Sequence, residues 1–440
     1  MNIGIIGGGI AGLTAAYELS KGGHRVSLFE KQAELGGQVG TFDVSGERLE
    51  RFYHHIFTSD VDIIQLIDEL GLSEQLLWLD SKVGFFHGGR IYDFVTPMEL
   101  LKFSPVGLID RVRLGLVSLY LRRYKNWPSM EGMTAREWLT KYGGRRNYEV
   151  VWGPLLRNKF GTSCDEVGMV WLWGKIHLRL SSRQGEKERL GYLKGSYGLL
   201  IDTIKQRIID YGGEIHTSAP VGNMIIEDEK AVGFLVGKKG VEGKEKQQVH
   251  HCDITIATVP SPVFLDIAPQ LPAEYAGKLA GVHYQGAMVM VLILKQPLSH
   301  IYWMNISDDS IPFVALIEHT NFMEPSVYGG KRIAYISNYL SHDNPLYLLG
   351  SDELLQEYLP HLRKINSEFD SSWVEGHYLF RDDVGQPVIT TNYSSRIPEH
   401  RTPIANLYLA NTTQIYPEDR GMNYSVRLGR KVAKLVSAEY

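Results

Sequence analysis

Apolar positions change their period several times along this chain, and each change marks an element. Residues 3–6 (Ile-Gly-Ile-Ile) predict a short buried strand, residues 13–19 repeat at helical spacing up to Gly22-Gly23, and Arg25–Phe29 reads as a second strand. Further on, residues 199–211 form an amphipathic helix closed by Gly212-Gly213, a strand leads to Val221, and a hairpin is expected at about 224–236. The run 254–260 is another buried strand. Near the C-terminus, 406–411 predicts a strand and 416–421 a turn with Asp419 as helix cap. Residues 422–436 then predict a helix whose inner face is Val426, Gly429, Val432, Ala433 and Val436. Between these blocks the pattern is first mostly helical (61–70, 97–101, 108–124), then alternating as in an antiparallel sheet (287–294, 313–318, 332–339, 373–380). No repeat or low-complexity linker interrupts it, and the lysine- and glycine-rich stretch 237–248 reads as an exposed hairpin tip.

The first strand, turn and helix carry the chemistry. Gly7-Gly8-Gly9-Ile10-Ala11-Gly12 supplies Gly-x-Gly-x-x-Gly between a strand and a helix. Gly7 permits the tight turn, Gly9 leaves room for a pyrophosphate, and Gly12 lets the helix pack on the sheet. The helix N-terminus offers free N–H groups to the anion. Glu30 ends the second strand 18 residues after Gly12, near the spacing expected of an acid that holds a ribose hydroxyl. The motif alone is weak; the order strand, glycines, helix, strand, acid is the context that makes it a dinucleotide site.

The residues after Glu30 narrow the ligand. Glu30-Lys31-Gln-Ala-Glu34-Leu35-Gly36-Gly37-Gln38-Val39-Gly40-Thr41 resembles the extension beyond the ribose acid in the amine oxidase, phytoene desaturase and protoporphyrinogen oxidase superfamily. The segments 191–221 and 406–436 are similar to the same superfamily. The resemblance implies a fold of α/β class. A Rossmann-like FAD-binding domain is drawn from 1–60, 190–265 and 400–440. An α+β substrate domain, with an antiparallel sheet and a helical part, is drawn from 61–189 and 266–399. It implies non-covalent FAD held by Gly7, Gly9, Ala11, Gly12, Glu30, Lys31, Gly36, Gly37, Gln38, His55, Val221, Asn411 and Met422, with the last helix directing its positive end at the flavin ring. Two departures stand out. Family members carry arginines around the second glycine pair, where this chain has Glu34-Leu35 and Gln38, so a charge contact to the diphosphate is missing. The usual Gly-Asp after the last strand is Asn411-Thr412.

Composition removes other classes. At 440 residues the chain suits two domains or one composite domain. It is 44% hydrophobic and 22% charged, as in an ordinary globular protein, and its net charge of −4 gives no reason to expect nucleic acid. Two cysteines, Cys164 and Cys252, build no disulfide framework, which suggests a reducing compartment and a cytoplasmic protein. No cysteine lies near the C-terminal segment to bond a flavin. The N-terminus reads as structure, not a signal peptide, and no run is long enough to span a membrane.

Candidate chemistry beyond the cofactor is weaker. Tyr53-His54-His55-Ile56-Phe57 is similar to a region of UDP-galactopyranose mutases, and His55 is either a ring-packing histidine beside the flavin or an acid/base. The segment 152–161, with Arg157 and Lys159, either lines a pocket for an anionic substrate or is a surface loop. Trp171 and Trp173, two apart, are expected on one face in the core. Helix 108–124 carries Arg111, Arg113, Arg122 and Arg123 beside leucines. It is either a membrane-surface helix or, more simply, a substrate-domain helix with a solvated basic face. His250-His251-Cys252-Asp253 are consecutive, so a strand directs them apart and no metal is expected. No second Gly-x-Gly-x-x-Gly comes after a strand, so no NAD(P)H domain is expected. Aligning Gly286 with the glycine that opens the flavin-facing strand of monoamine oxidases puts Met290 where those enzymes have lysine, which argues against simple amine oxidation.

The expected function is therefore an FAD-dependent oxidase, dehydrogenase or desaturase of the protoporphyrinogen oxidase and phytoene desaturase type. It would take two electrons as hydride from a small-molecule substrate and pass them to oxygen or another acceptor. The alternative is an isomerase resembling UDP-galactopyranose mutase that works with reduced flavin. The oligomeric state is not legible.

Overall fold

A computed structural model of the chain describes residues 1–182, 188–237 and 247–439. β1 (Asn2–Ile6) lies between β2 (Arg25–Phe29) and Ile254–Ala257 in a five-stranded parallel sheet, with Glu214–His216 and Leu407–Leu409 at its edges. Such a sheet buries both faces at its centre, which is why β1, Ile254–Ala257 and Leu407–Leu409 read as largely apolar runs. On one face α1 (Ile10–Lys21) packs against the C-terminal helix Met422–Glu439. The approach requires glycine: a Cβ on Gly429 would stand 2.5 Å from the Ala11 carbonyl oxygen. The expected hairpin is a three-stranded sheet, Val221–Glu227, Lys230–Val236 and Gln248–His251. Most of its expected tip, 237–248, lies outside the described residues.

The second sheet has seven strands in the order Val374–Pro387, Tyr284–Leu294, Arg332–Leu340, Ala315–Glu318, Trp303–Ile306, Val83–His87 and Arg90–Asp93. Every pair is antiparallel except Trp303–Ile306 with Val83–His87. Strand period divides its residues between two cores. Met288, Met290, Leu292 and Leu294 pack with Leu354, Tyr358 and Leu362 of helix Ser351–Ile365, while Val289, Val291 and Ile293 face the other way. This corrects the placement of Met290, which faces the far side of the sheet. Ala287 and Val289 are the cavity-facing positions, and the strand contains no lysine on either face.

Residues 61–189 are less helical than their periodicity predicts. Leu76–Ser81, Val83–His87 and Arg90–Asp93 are strands; the first pairs with Glu188–Leu193 and the others extend the large sheet. The helices that matter to the site are α2 (Pro97–Lys102), α3 (Leu108–Arg123), α4 (Gly153–Phe160) and α5 (Met169–Ser181). α2 begins with a capping box between Thr96 and Glu99. Because Trp171 and Trp173 sit on a helix, not a strand, they face opposite ways. The Trp171 indole donates to Asp419, while that of Trp173 donates to the Leu121 and Tyr124 carbonyls.

Candidate active site

The two glycine clusters meet. Gly36 N–H donates to the Gly8 carbonyl at 2.8 Å, and Gly36 pairs with Gly9 as a parallel bridge. Gly7 has φ +105°, a conformation that glycine adopts without penalty. Gly9 differs: its backbone is ordinary, and a Cβ there would meet nothing within 4 Å. This open space lies just before the α1 N-terminus, where an anion is most favoured. Glu30 is buried, and its carboxylate accepts from Gly8 N–H at 2.7 Å and Gln32 N–H at 2.8 Å, leaving acceptor capacity unused. Ala219 N–H bonds the Glu30 carbonyl, which brings the start of the Val221 strand to this corner, whereas Lys31 is exposed. The residues present fit a dinucleotide such as FAD.

Gln38 ties this corner to the substrate side. Its amide donates to Asp382 at 2.7 Å, and its oxygen accepts from Arg420 at 2.7 Å. A guanidinium from the other end of the chain therefore stands beside the position where the family's arginine would be.

Beyond it lies a cavity of about 650 Å³ between the large sheet and α3, α4 and α5. Its walls are chiefly apolar, among them Phe85, Phe94, Leu100, Leu114, Leu155 and Leu156. Its inner end is charged. Asp419 accepts from Trp171 (2.9 Å), Gln386 (3.0 Å), Lys159 (3.1 Å) and Lys175 (3.2 Å). Burial would raise its carboxyl, but the Lys159, Lys175 and Arg420 charges outweigh this and hold it well below the usual carboxylate range. It is therefore a charge anchor, not the helix cap expected from sequence. Beside it, Arg420 spends its donors on the neutral oxygens of Gln386, Gln38 and Tyr339.

Two further titratable groups line the cavity. His55 lines the cavity with Nδ1 at 3.2 Å from the Tyr302 hydroxyl. Burial, aided by Arg179, keeps it well below its usual range and therefore neutral. Asp60 also lines the cavity; one oxygen accepts from Phe57 N–H at 2.8 Å and the other is buried without a partner. Burial raises its carboxyl to about 6. His54, at 2.6 Å from the Phe52 carbonyl, is pushed down to about 4 by burial.

Not every sequence candidate arrives here. Arg157 turns outward to an exposed ion pair with Asp309 at 3.3 Å, so of the two basic residues of the 152–161 segment only Lys159 reaches the cavity. That segment is largely helical, not a surface loop, and helical spacing separates Arg157 from Lys159. The Asn411 side chain is fully used by Val259, Ser261 and Thr413. Met422, by contrast, lines the cavity as the first residue of its helix. Sequence reading missed Lys175, Arg179, Arg420, Tyr339 and Asp60. A signal existed for the first two: Trp171, Lys175 and Arg179 are spaced i, i+4, i+8 on a largely apolar helix, so they share a stripe. Arg420, Tyr339 and Asp60 carried none, because they meet only through tertiary contacts.

The mouth of the cavity is formed in part by α2 and α3, through Leu100, Leu114, Ser118 and Arg122. α3 buries Leu114, Val117 and Leu121 but exposes Leu108, Ile109, Val112, Leu116 and Leu119, with Ile109 84% accessible. Arg111 and Arg113 are spent on backbone carbonyls. The outer face is thus apolar as well as basic. Among the described residues no helix is long and apolar enough to cross a membrane.

The sequence matches the family model described as flavin containing amine oxidoreductase over residues 10–437. It is 24% identical over 298 residues to the zeta-carotene desaturase of Solanum lycopersicum, covering 61% of this chain and 50% of that protein. The chain thus spans about half the length of this curated relative. Among solved structures, a chain described as a protoporphyrinogen oxidase from Exiguobacterium sp. 255-15 superposes with a TM-score of 0.78 at 17% identity, covering 100% of this chain and 99% of that one. A reduced UDP-galactopyranose mutase superposes with a TM-score of 0.76 at 16% identity, covering 100% and 96%. At these identities the structural matches establish a shared fold.

Proposed function

The chain belongs to the flavin containing amine oxidoreductase family, and on that premise we propose that it is an FAD-dependent oxidase, dehydrogenase or desaturase acting on a large, mainly apolar substrate. The observation that carries this reading is the cavity of about 650 Å³ with apolar walls, joined to the glycine corner by the Arg420–Gln38 bond. Bound FAD supplies the two-electron acceptor for hydride. Gly7, Gly9, Gly12, Gly36 and Gly37 would admit its diphosphate and Glu30 would hold its ribose. The apolar walls exclude water and orient the substrate. Asp60, with a carboxyl near 6 and one free oxygen, is the group able to take up a proton at neutral pH.

The positive inner end repels a protonated amine, which independently supports the argument against simple amines. A sugar nucleotide, the substrate class of the mutase reading, would leave most of these walls facing polar groups.

The test is the direction of electron flow. The purified protein is expected to be yellow, and an apolar or polycyclic substrate should bleach it anaerobically without added reductant. Simple monoamines should not. Activity seen only after dithionite reduction would favour the mutase reading and reject this one.

The apolar outer face of α3 beside the cavity mouth supports loading from a lipid surface. Vesicles containing anionic lipid should pellet the protein, and Ile109→Glu with Leu116→Glu should abolish this. Equal pelleting of parent and variant would remove the face from consideration.

A further inference from the structure

We infer that the inner end of the cavity is a carboxylate-binding subsite, so that the substrate is an amphiphilic acid: a long or polycyclic apolar body ending in a carboxylate. This rests on the proposed function, in that it names the substrate class of the same cavity.

Three cations meet there with one carboxylate between them. Lys159 and Lys175 donate to the same oxygen of Asp419, at 3.1 and 3.2 Å. An ammonium has three donors, so each lysine retains capacity for another acceptor. Arg420 is held by neutral oxygens, with Asp382 reached only through the Gln38 amide. Arg179 adds nothing to the excess, because Glu188 grips it in two-point fashion at 2.9 and 3.2 Å. Asp60, the other carboxylate on the wall, makes no ion pair within 4 Å among the described residues.

Lys175 is the group most exposed to this imbalance. Its side chain lines the cavity and is 42% accessible. Burial pushes its ammonium down, and the shared Asp419 only partly offsets this. Tyr339 reports the same field: burial alone would raise its phenol, yet the Arg420 and Lys159 charges bring it down. An enclosed excess of positive charge is unfavourable until an anion enters, and a carboxylate there would accept charge-assisted bonds from both lysines. A pure hydrocarbon gains nothing from this end of the cavity, whereas an acid gains there and along the apolar walls.

Three ten-carbon probes of one shape and different charge test this on the FAD-loaded protein: decanoate, decan-1-ol and decylammonium, titrated by calorimetry. Decanoate is expected to bind at least about tenfold tighter than the alcohol, and the ammonium more weakly than the alcohol. Lys175→Gln should remove most of the acid's advantage and leave the alcohol's affinity unchanged; Lys159→Gln, a second variant, should act in the same sense. An alcohol that binds as tightly as the acid overturns the proposal. So does a lysine variant that weakens both probes equally, or one that loses FAD while keeping the acid preference. Calorimetric ranking needs no turnover, so an inactive protein that still prefers decanoate would sink the oxidase reading and leave the subsite standing.

Discussion

Gly9→Val is expected to yield a folded, colourless protein, and Gly12→Ala a protein that does not fold stably. Both glycines belong to one motif, but the structure gives them different work. At Gly9 the backbone is extended and a Cβ meets no atom within 4 Å. The Cβ of valine meets no atom of the chain there, so the change in stability should be small, about 0.5 kcal/mol, as for a surface substitution. What it fills is the space in front of the α1 N-terminus, and FAD should be lost altogether. At Gly12 a Cβ would lie 1.9 Å from the Gly7 carbonyl oxygen and 2.7 Å from Thr258 Oγ1. The first is backbone of the turn itself and cannot give way, so the cost is expected at or above the roughly 1–3 kcal/mol of an overpacked core. Circular dichroism, thermal unfolding without cofactor and the ratio of flavin to protein absorbance separate the two outcomes. A yellow Gly9→Val protein would show that the diphosphate does not pass there.

Asp419→Ala should be the most damaging single change in the cavity. It leaves Lys159, Lys175 and Arg420 enclosed with no carboxylate bonded to them, and breaking a buried ion pair in this way costs about 3–5 kcal/mol. The pH dependence is set by the direction of the shift. Asp419 is held below its unfolded value by the neighbouring cations. Its contribution is therefore complete above the unfolded carboxylate value of roughly 3.9 and is lost as pH falls through the lower folded value. Urea unfolding at pH 7 should show the full gap between parent and variant, and the gap should narrow below about pH 4. Adding Lys159→Met and Lys175→Met to Asp419→Ala should recover part of the loss, because the stranded charges go with their side chains. A gap that stays constant from about pH 7 down to about pH 3 would mean that packing, not charge, is what Asp419 provides.

Much of the parallel-sheet unit was legible because its determinants are local. Gly7, Gly9 and Gly12 act through their own backbone, and Glu30 reaches Gly8 simply by ending the neighbouring parallel strand. The apolar runs of β1, Ile254–Ala257 and Leu407–Leu409 could be read one by one, since a strand buried on both faces has few other compositions. The helix before Gly212 and the alternation in the large sheet were legible for the same reason.

Errors arose where a local period had two readings. Trp171 and Trp173 share a face only if the segment is a strand; on a helix they part, and one reaches Asp419 while the other packs under α3. Counting from Gly286 puts Met290 at the lysine position of the flavin-facing strand, but a step of one residue along a strand exchanges its faces, and Met290 packs on the far side of the sheet. Arg157 and Lys159 looked equivalent as neighbours in a polar stretch, and the rotation of α4 sends them to opposite sides.

By itself the sequence thus determined the family and the cofactor, because contiguous residues carry that information in their backbone. The character of the cavity was decided only by tertiary structure. Asp419 and Arg420 come from the turn before the last helix, Lys159 and Lys175 from two helices more than 240 residues earlier, Tyr339 from the large sheet and Asp60 from the segment after the hairpin beyond Gly40. None marks its neighbours in sequence. Charge excess in an enclosed space depends on which side chains share that space, and that is settled by how the sheet and helices close over it.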